Sequence, residues 1–312
     1  MNKFAIILGE PNSINSEILA KSIAKKYPSI IIGSYNLVKA QLKVLKINTK
    51  INKLENNYKY VQNALNILDI PLKFKNPFKV NANESKIYLK KCFNVAHMLS
   101  LKKKIKGFIN CPIDKKKFFG EKNSGITEYL AKKNSIYKNE VMLIYNKKCS
   151  VAPLTTHIKL NNVSKTLNKK IIKDKLITLN TYYTKYFKYK PKIAILGLNP
   201  HNLEMKKDSE EIKIIVPAIK NLKRKMNIEG PFPSDTVFLK NNLKKYNIVV
   251  GMYHDQVLTP FKTLFEFKAV NITLGLPYLR LSPDHGIASD KKKLKIASPQ
   301  SLNQCIFTIS KL

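Results

Sequence analysis

Short apolar runs alternate with amphipathic segments along most of the chain. FAIILG (4–9) and SIIIGS (29–34) are apolar runs closed by glycine or polar residues, which is typical of buried strands. Between them, Ile14, Ile18 and Leu19 recur at helical spacing. The same alternation continues with the strand-like runs KGFINCPI, VMLIYN, SVAPLTTH, PKIAILGL, NIVVGMY and AVNITLGLPYLRLS. It predicts an α/β protein with largely parallel sheets, and residues 49–84 carry the weakest pattern.

Composition limits the class of protein. The length of 312 residues suggests about two domains at roughly 150 residues each, and 44% hydrophobic residues exclude a disordered polycation. The four cysteines form no C-x-x-C pair, which favours a reducing compartment over a disulfide or metal–thiolate framework. The apolar run at the N-terminus is too short for a signal sequence, so we expect a cytoplasmic protein without a membrane anchor.

The net charge of +37 leaves two interpretations open. Such a charge is typical of proteins that bind nucleic acids, and a catalytically weak, basic RNA-binding protein is one hypothesis. The lysines, however, are spread along the whole chain, and arginine, which phosphate and base recognition favours, is scarce. Because Lys, Asn and Ile share AT-rich codons, drift in genome composition explains the charge without a specific nucleic-acid partner.

The glycines exclude the two commonest phosphate-binding loops. No two of the ten glycines are separated by a single residue, so a G-x-G-x-x-G dinucleotide turn is absent. Gly120 and Gly125 bracket EKNS, but Ile126 and Thr127 follow where a Walker A loop has Lys and Ser or Thr. A nucleotide would have to bind without either device.

Three of the five histidines share one sequence context. His157, His201 and His254 each follow an apolar strand and open a polar loop. In a parallel sheet these loops meet at the carboxyl edge of the strands, where ligands bind. Three imidazoles at that edge predict a catalytic divalent metal: zinc suits them best, and magnesium, manganese or cobalt could serve with an oxygen-rich substrate.

Charged and polar residues near these histidines suit an anionic, hydroxylated substrate. Asp255 could orient an imidazole, and the Arg280 guanidinium can grip a phosphate or carboxylate with two bonds. Thr127 stands at the start of a predicted helix, where amide donors favour phosphate. Lys262 and Asn271 are further candidates.

Several motifs resemble the 4-hydroxythreonine-4-phosphate dehydrogenase family of vitamin B6 biosynthesis. The resemblance covers nearly the whole chain in one order. It is carried by GEPNSINSEI (9–18), GFINCPIDK, SGITEYLA, TTH (155–157), GLNPH (197–201), GPFPSDTVF (230–238), MYHDQ (252–256) and NITLGLPYLRLSPDHGIA (271–288).

This resemblance implies an architecture and a set of ligands. The fold would be similar to isocitrate and isopropylmalate dehydrogenases, with two α/β/α domains and the active site in the cleft between them. We expect residues 1–105 with 265–312 to form the first domain and residues 106–264 the second. NAD (or NADP) would bind without a Rossmann fingerprint, and the protein would be a homodimer with its active site at the dimer interface.

The resemblance also implies residue roles. The metal ligands would be His157, His201 and His254; the substrate-binding residues would be Thr127, Lys262, Asn271 and Arg280; and Asp284 and His285 would lie beside the cofactor. The reaction would be oxidation of 4-phosphooxy-L-threonine to 2-amino-3-oxo-4-phosphooxybutanoate, which loses carbon dioxide to give 3-amino-2-oxopropyl phosphate. Asp255 and Lys262 are the candidates for the group that accepts the hydroxyl proton.

The chain departs from the family pattern at a few positions. Ile126 stands where the family carries a substrate-contacting histidine, in G-H-T-E. Asn12, Ser13 and Asn15 occupy an opening loop that is usually rich in glycine and small residues. Glycines that usually follow NPH are replaced by Asn202, Leu203 and Met205. The alternative substrate is therefore a phosphorylated sugar acid, 4-phospho-erythronate or threonate, which lacks the amino group.

Overall fold

The computed structural model describes residues 3–54, 59–120, 125–136, 138–266 and 268–312. Residues 121–124, which lie within the Gly120–Gly125 loop considered above, are therefore outside the described residues. The chain divides into two compact units, one of residues 1–123 with 277–312 and one of residues 124–276.

Strands and helices alternate through the described residues, as the apolar pattern predicts. The strands are β1 (Phe4–Ile7), β2 (Ser29–Gly33), β3 (Ile51–Leu54), β4 (Leu65–Asp69), β5 (Gly107–Asn110), β6 (Val141–Tyr145), β7 (Ser150–Pro153), β8 (Ile193–Leu196), β9 (Ile228–Phe232), β10 (Ile248–Gly251), β11 (Val270–Leu274) and β12 (Leu279–Pro283). The helices are α1 (Asn15–Lys21), α2 (Tyr35–Val44), α3 (Ala82–Leu101), α4 (Lys115–Phe119), α5 (Ile126–Lys133), α6 (Val163–Thr166), α7 (Lys169–Phe187), α8 (Val216–Lys220), α9 (Ser234–Val237), α10 (Lys240–Leu243), α11 (His254–Phe265) and α12 (Gln300–Lys311).

The first unit contains a parallel sheet in the order β3-β4-β2-β1-β5-β12. Its central strands are fully buried, which explains their unbroken apolar runs. β3 lies at the edge and exposes Lys53, so its sequence, INKL, lacks an apolar run. This explains the weak pattern at β3, the first of the two strands within residues 49–84.

The second unit contains the strand order β11-β6-β7-β10-β8-β9. β7, β10, β8 and β9 are parallel, and β6 is antiparallel to both β7 and β11. The α/β class and the largely parallel sheets are thus confirmed, with β6 as the exception. The core beside β10 is formed by buried side chains that include Val151, Ala194, Val249 and Phe261.

The two units differ from the sequence-based domains at two strands. β5 belongs to the first unit because it pairs with β1 and β12, and β11 belongs to the second because it pairs with β6. The sequence-based boundaries after residues 105 and 264 placed both strands on the other side. None of the helices within the described ranges combines the length and apolar character that a bilayer crossing needs.

Candidate active site

Three neighbouring parallel strands of the second unit end at the histidines. His157 follows β7, His254 follows β10 and His201 follows β8, and β10 lies between the other two strands. The three residues therefore belong to the loops at one carboxyl edge of the sheet. This is the arrangement that the sequence pattern predicts, because parallel strands end on the same side.

His157 and His254 lie side by side at this edge. Their ring centroids are 5.9 Å apart. Each ring has its Nδ1 beside a carboxylate: His157 Nδ1 is 3.2 Å from Glu128 Oε1, and His254 Nδ1 is 2.6 Å from Asp255 Oδ1. A carboxylate on Nδ1 fixes the orientation of an imidazole and leaves Nε2 available as a ligand atom.

Glu128, on the first turn of α5, is a site residue that the sequence analysis missed. Its Oε1 also accepts a hydrogen bond from Thr156 Oγ1 at 3.1 Å. Burial raises the pKa of Glu128, but the hydrogen bonds from His157 and Thr156 and the charge of His157 outweigh it and bring the pKa from 4.5 to about 2. The carboxylate is therefore held ionised against the imidazole. The place of Glu128 in the motif GITEYLA was the sequence feature that could have indicated this role.

Gly125 provides the space for this contact. A Cβ atom at Gly125 would lie 2.3 Å from Glu128 Oε2 and 3.2 Å from His157 Cε1. Both separations are shorter than normal van der Waals contacts. The absence of a side chain at residue 125 therefore allows the start of α5 to approach the histidine.

His201 is positioned differently from the other two histidines. Residues 201–205 all have positive φ, with His201 at φ 48°. The preceding loop is held by the buried carboxylate of Glu211, which accepts hydrogen bonds from the Leu198 and Asn199 amides at 2.7 and 2.9 Å. His201 is exposed after this loop. Within the described ranges, no three His, Cys, Asp or Glu side chains are grouped to hold a metal ion.

The separation of the two histidine rings lies within the limit for a shared metal ion. Metal–nitrogen bonds of about 2.1 Å place each ring centroid about 3.2 Å from the ion, so two rings on one ion have centroids at most about 6.4 Å apart. The 5.9 Å separation of His157 and His254 meets this limit. The carboxylates on both Nδ1 atoms are the second feature that such a site requires.

Thr127 and Asn271 occur near each other in the same unit. Thr127 Oγ1, at the start of α5, is 3.3 Å from Thr273 Oγ1 on β11. Asn271 is two residues before Thr273 and therefore lies on the same face of the strand. Its Oδ1 is buried and has no hydrogen-bond partner among the described residues. A buried acceptor without a donor is costly, so it can be satisfied by a donor group on a ligand.

Lys262 and Asp255 both lie on α11, which begins at His254. Lys262 is partly buried and stands two turns after His254, whereas Asp255 is exposed, with 79% of its side chain accessible. Asp255 contacts the imidazole of His254, which is the orienting contact considered from the sequence.

Gln256 is a second residue that the sequence analysis missed. It is buried, its Nε2 donates to Gly197 O and to Ser234 Oγ, and its Oε1 accepts from the Met252 amide, each at 2.7 Å. One side chain thereby joins the loops that follow β8, β9 and β10. Thr155 Oγ1 donates to Met252 O at 2.7 Å and joins the end of β7 to that of β10. These two residues hold the strand ends that carry the histidines.

Arg280 belongs to the first unit. It lies on β12 with only 3% of its surface exposed, and its Nε donates to Asn110 Oδ1 at 2.8 Å at the end of β5. Such a bond fixes the plane of the guanidinium. Asn110 was not identified from the sequence, because its role depends on the pairing of β5 with β12.

Asp284 and His285 follow β12 in the same unit. The Asp284 amide donates to Ser301 Oγ at 3.0 Å. Burial lowers the pKa of His285, and its Nε2 is buried without a partner among the described residues. The segment that follows contacts the opening loop, since the Ile14 amide donates to Ile287 O at 3.4 Å. A ligand beside His285 would therefore lie near the start of α1.

Four residues that depart from the family pattern are either buried or hydrogen-bonded to neighbouring backbone. Ile126 is buried at the start of α5. Asn12 makes two bonds of 2.8 Å with the backbone of Val80, and Asn15 Nδ2 donates to Pro112 O at 2.9 Å. Asn202 Nδ2 donates to Pro231 O at 3.1 Å. These asparagines bridge neighbouring loops where the family usually has small residues.

Comparison with known proteins identifies the family. Residues 25–309 match the family described as pyridoxal phosphate biosynthetic protein PdxA. A 4-hydroxythreonine-4-phosphate dehydrogenase from Sulfurihydrogenibium sp. (strain YO3AOP1) is 37% identical over 98% of this chain and 97% of its own length. A D-threonate 4-phosphate dehydrogenase from Pectobacterium atrosepticum is 31% identical over 96% of this chain and 95% of its own length.

A solved structure agrees with these sequence matches. The crystal structure of 4-hydroxythreonine-4-phosphate dehydrogenase from Klebsiella pneumoniae superposes with a TM-score of 0.87 at 29% identity, and the match covers 99% of each chain. Its name and those of both sequence relatives denote dehydrogenases. From the family match and from relatives that span its length, the chain belongs to the PdxA family of pyridoxal phosphate biosynthetic proteins.

Proposed function

We propose that this protein is a cytoplasmic, divalent-metal-dependent dehydrogenase that oxidises 4-phosphooxy-L-threonine with NAD or NADP in pyridoxal 5'-phosphate biosynthesis. The observation that carries the proposal is the pair of imidazoles, His157 and His254, each oriented by a carboxylate on Nδ1. Relatives with the names of this activity provide independent support.

The metal would be held by His157 and His254, with His201 as the third ligand. The first two already meet the distance limit for one ion, and His201 follows the adjacent strand β8 at the same sheet edge. A divalent ion there, most readily zinc and otherwise magnesium, manganese or cobalt, supplies a Lewis acid that makes a neighbouring hydroxyl more acidic.

Four residues would bind the substrate. Thr127 offers a hydroxyl and a helix-terminal amide for the phosphate, and Asn271 offers its unpartnered Oδ1 to a hydroxyl or ammonium donor. Arg280, oriented by Asn110, and Lys262 would neutralise the phosphate and carboxylate.

The remaining roles concern the proton and the hydride. Asp255 would accept the hydroxyl proton, or Lys262 would do so as the neutral amine, in which case Arg280 alone supplies the cationic contact. Both candidates lie on the helix that begins at His254. NAD or NADP supplies the hydride acceptor, and Asp284 and His285 would lie on its side of the site. The resulting 2-amino-3-oxo-4-phosphooxybutanoate is a β-keto acid and would lose carbon dioxide to give 3-amino-2-oxopropyl phosphate.

A homodimer is part of the proposal. Apolar side chains beside the histidine loops are exposed, including Ile158 at 42%, Leu160 at 71% and Met205 at 41%. Large exposed apolar side chains that cluster in sequence around candidate site residues suit an interface with a second copy of the chain. This would bury them and complete the site.

A phosphorylated sugar acid is the second candidate substrate. Ile126 places a buried apolar side chain where the family carries a histidine, and a D-threonate 4-phosphate dehydrogenase is among the relatives. Without that imidazole, the amino group of the threonine derivative loses a potential partner. If this loss decided the choice of substrate, threonate 4-phosphate or 4-phospho-erythronate would be oxidised faster than 4-phosphooxy-L-threonine.

The test is NADH formation by the purified protein from each substrate, with and without a chelator. Chelator-sensitive oxidation of 4-phosphooxy-L-threonine at the higher kcat/KM is the expected result. Faster turnover of a sugar-acid phosphate would replace the substrate but retain the chemistry. Absence of turnover on all of them after addition of zinc, manganese, magnesium or cobalt would refute the proposed activity.

A further inference from the structure

A pocket of about 250 Å³ opens in the first unit where α3 ends. Its lining includes Ser100, Ile105 and Tyr278, which are buried, and Pro277, which is exposed. The Tyr278 hydroxyl is 2.9 Å from His97 Nδ1, and the two rings are in contact. Three of the side chains that line the pocket are therefore held in place by burial.

Three lysines form the rest of the pocket. Lys103 and Lys104 are exposed, and Lys106 is partly buried. No aspartate or glutamate is among the described residues that line it. Burial lowers the pKa of Lys106, whose Nζ is 3.3 Å from Ser310 O. The pocket thus concentrates positive charge without a carboxylate to balance it.

These lysines are not needed to cap the helix. Backbone amides already satisfy the last carbonyls of α3: Lys102 N donates to Met98 O, Lys103 N to Ser100 O and Lys104 N to Leu99 O, at 3.0, 3.1 and 3.0 Å. Such a turn is the usual way in which a helix end satisfies its own carbonyls. The ammonium groups of Lys103 and Lys104 therefore have no capping role that would explain their position.

We propose that this pocket binds a small phosphate-bearing anion, inorganic phosphate or a phosphate monoester, through Lys103, Lys104 and Lys106. A dianionic phosphate accepts several charge-assisted hydrogen bonds from ammonium groups, and a pocket of this volume has room for the phosphate and a few carbon atoms. The proposal does not depend on the catalytic activity.

The experiment measures acetylation of individual lysines by mass spectrometry in the full-length protein. Inorganic phosphate is one ligand and glycerol phosphate the other, with chloride at equal ionic strength as the reference. At a phosphate concentration about ten times Kd, acetylation of Lys103, Lys104 and Lys106 should slow about tenfold. Lys90 and Lys91, which are exposed on α3 and do not line the pocket, should be unaffected. Stronger protection by one ligand identifies the source of the phosphate group.

Two matched double variants distinguish phosphate binding in the pocket from general attraction of anions to a basic protein. Lys103→Gln with Lys104→Gln should weaken phosphate protection of Lys106 at least about tenfold, which corresponds to the loss of about 1.4 kcal/mol. Lys90→Gln with Lys91→Gln removes the same amount of charge, from α3, and should leave the phosphate protection of Lys106 unchanged. Equal protection of Lys90 and Lys91, equal effects of the two double variants, or no protection up to about 10 mM phosphate would overturn the proposal.

Discussion

At the scale of single residues, the proposed site has two imidazoles, His157 and His254, each in contact with a carboxylate. Glu128 and Asp255 each contact an Nδ1 atom, and Glu128 also accepts a hydrogen bond from Thr156. An imidazole with a fixed ring plane loses less conformational entropy when it binds an ion than a freely rotating one. The carboxylates, and the glycine beside Glu128, therefore support the proposed metal site by orienting its histidines.

Gly125→Ala should disturb this orientation. The new methyl group would meet Glu128 Oε2 at 2.3 Å, so the carboxylate must move away from His157. Loss of an orienting carboxylate typically lowers metal affinity by about 10- to 100-fold, and we expect a change of this size in a zinc or cobalt titration. Gly286→Ala is the control, because nothing lies within 4 Å of a Cβ atom there. Equal affinities of the two variants would contradict this role of Gly125.

Glu128 should also contribute to acid sensitivity. Its pKa in the folded, metal-free protein is about 2, below the ordinary 4.5, so its contribution to the free energy of unfolding is present above pH 4.5 and is lost as the pH falls towards 2. Glu128→Gln should therefore flatten the decrease in urea stability across this range. Glu84→Gln, an exposed carboxylate on α3, is the control and should retain the wild-type slope. A Glu128→Gln variant as acid-sensitive as the wild type would contradict the expectation.

At the scale of elements, side chains from one element fix the ends of another. Gln256 on α11 joins the loops after β8, β9 and β10, and Thr155 joins the ends of β7 and β10. Tyr88 on α3 has a similar role in the first unit. Its hydroxyl accepts a hydrogen bond from the Ser34 amide at 3.1 Å, where α2 begins.

Tyr88→Phe should destabilise the protein although it removes one atom. The Ser34 amide would be buried without an acceptor, which costs about 1–3 kcal/mol of unfolding free energy. The measurement is the urea midpoint at pH 7. Tyr182→Phe is the control, because the hydroxyl of Tyr182 makes no hydrogen bond within the described part of the chain and should change the free energy by less than about 0.5 kcal/mol. Equal midpoints of the two variants would show that the amide finds another acceptor.

At the scale of the whole molecule, the exposed apolar side chains near the histidine loops bear on assembly. Ile158→Ser with Leu160→Ser should shift the sedimentation profile from dimer to monomer, because both side chains are more than a third exposed in the single chain. Leu294→Ser with Ile296→Ser is the matched control, since these side chains are 58% and 63% exposed in the other unit. A dimer that persists in both variants, or a wild-type monomer, would refute this interface.

The charge of the whole molecule has a further consequence for function. With +37 spread over the chain, any retention on RNA should fall steeply as the salt concentration rises. Retention at physiological salt by protein that binds no metal would favour the RNA-binding hypothesis. Chelator-sensitive turnover without such retention would favour the enzyme.

The sequence by itself determined the α/β class, the places of most strands and the three histidines at strand ends. These features depend on local periodicity and on the order of elements along the chain, and both can be read directly from the apolar pattern. Strands β3, β4 and β9 were not predicted. β3 and β9 are edge strands, which need few apolar residues.

Only the tertiary structure decided which residues meet. Glu128 contacts His157, which is 29 positions away in the sequence, and Asn110 contacts Arg280, which is 170 positions away. No periodic pattern in the sequence indicates either contact. The positive-φ turn at His201 and the close approach of Gly125 to Glu128 likewise depend on backbone geometry. Chain order brings candidate ligands to one sheet edge, but packing between distant elements determines how each side chain is oriented there.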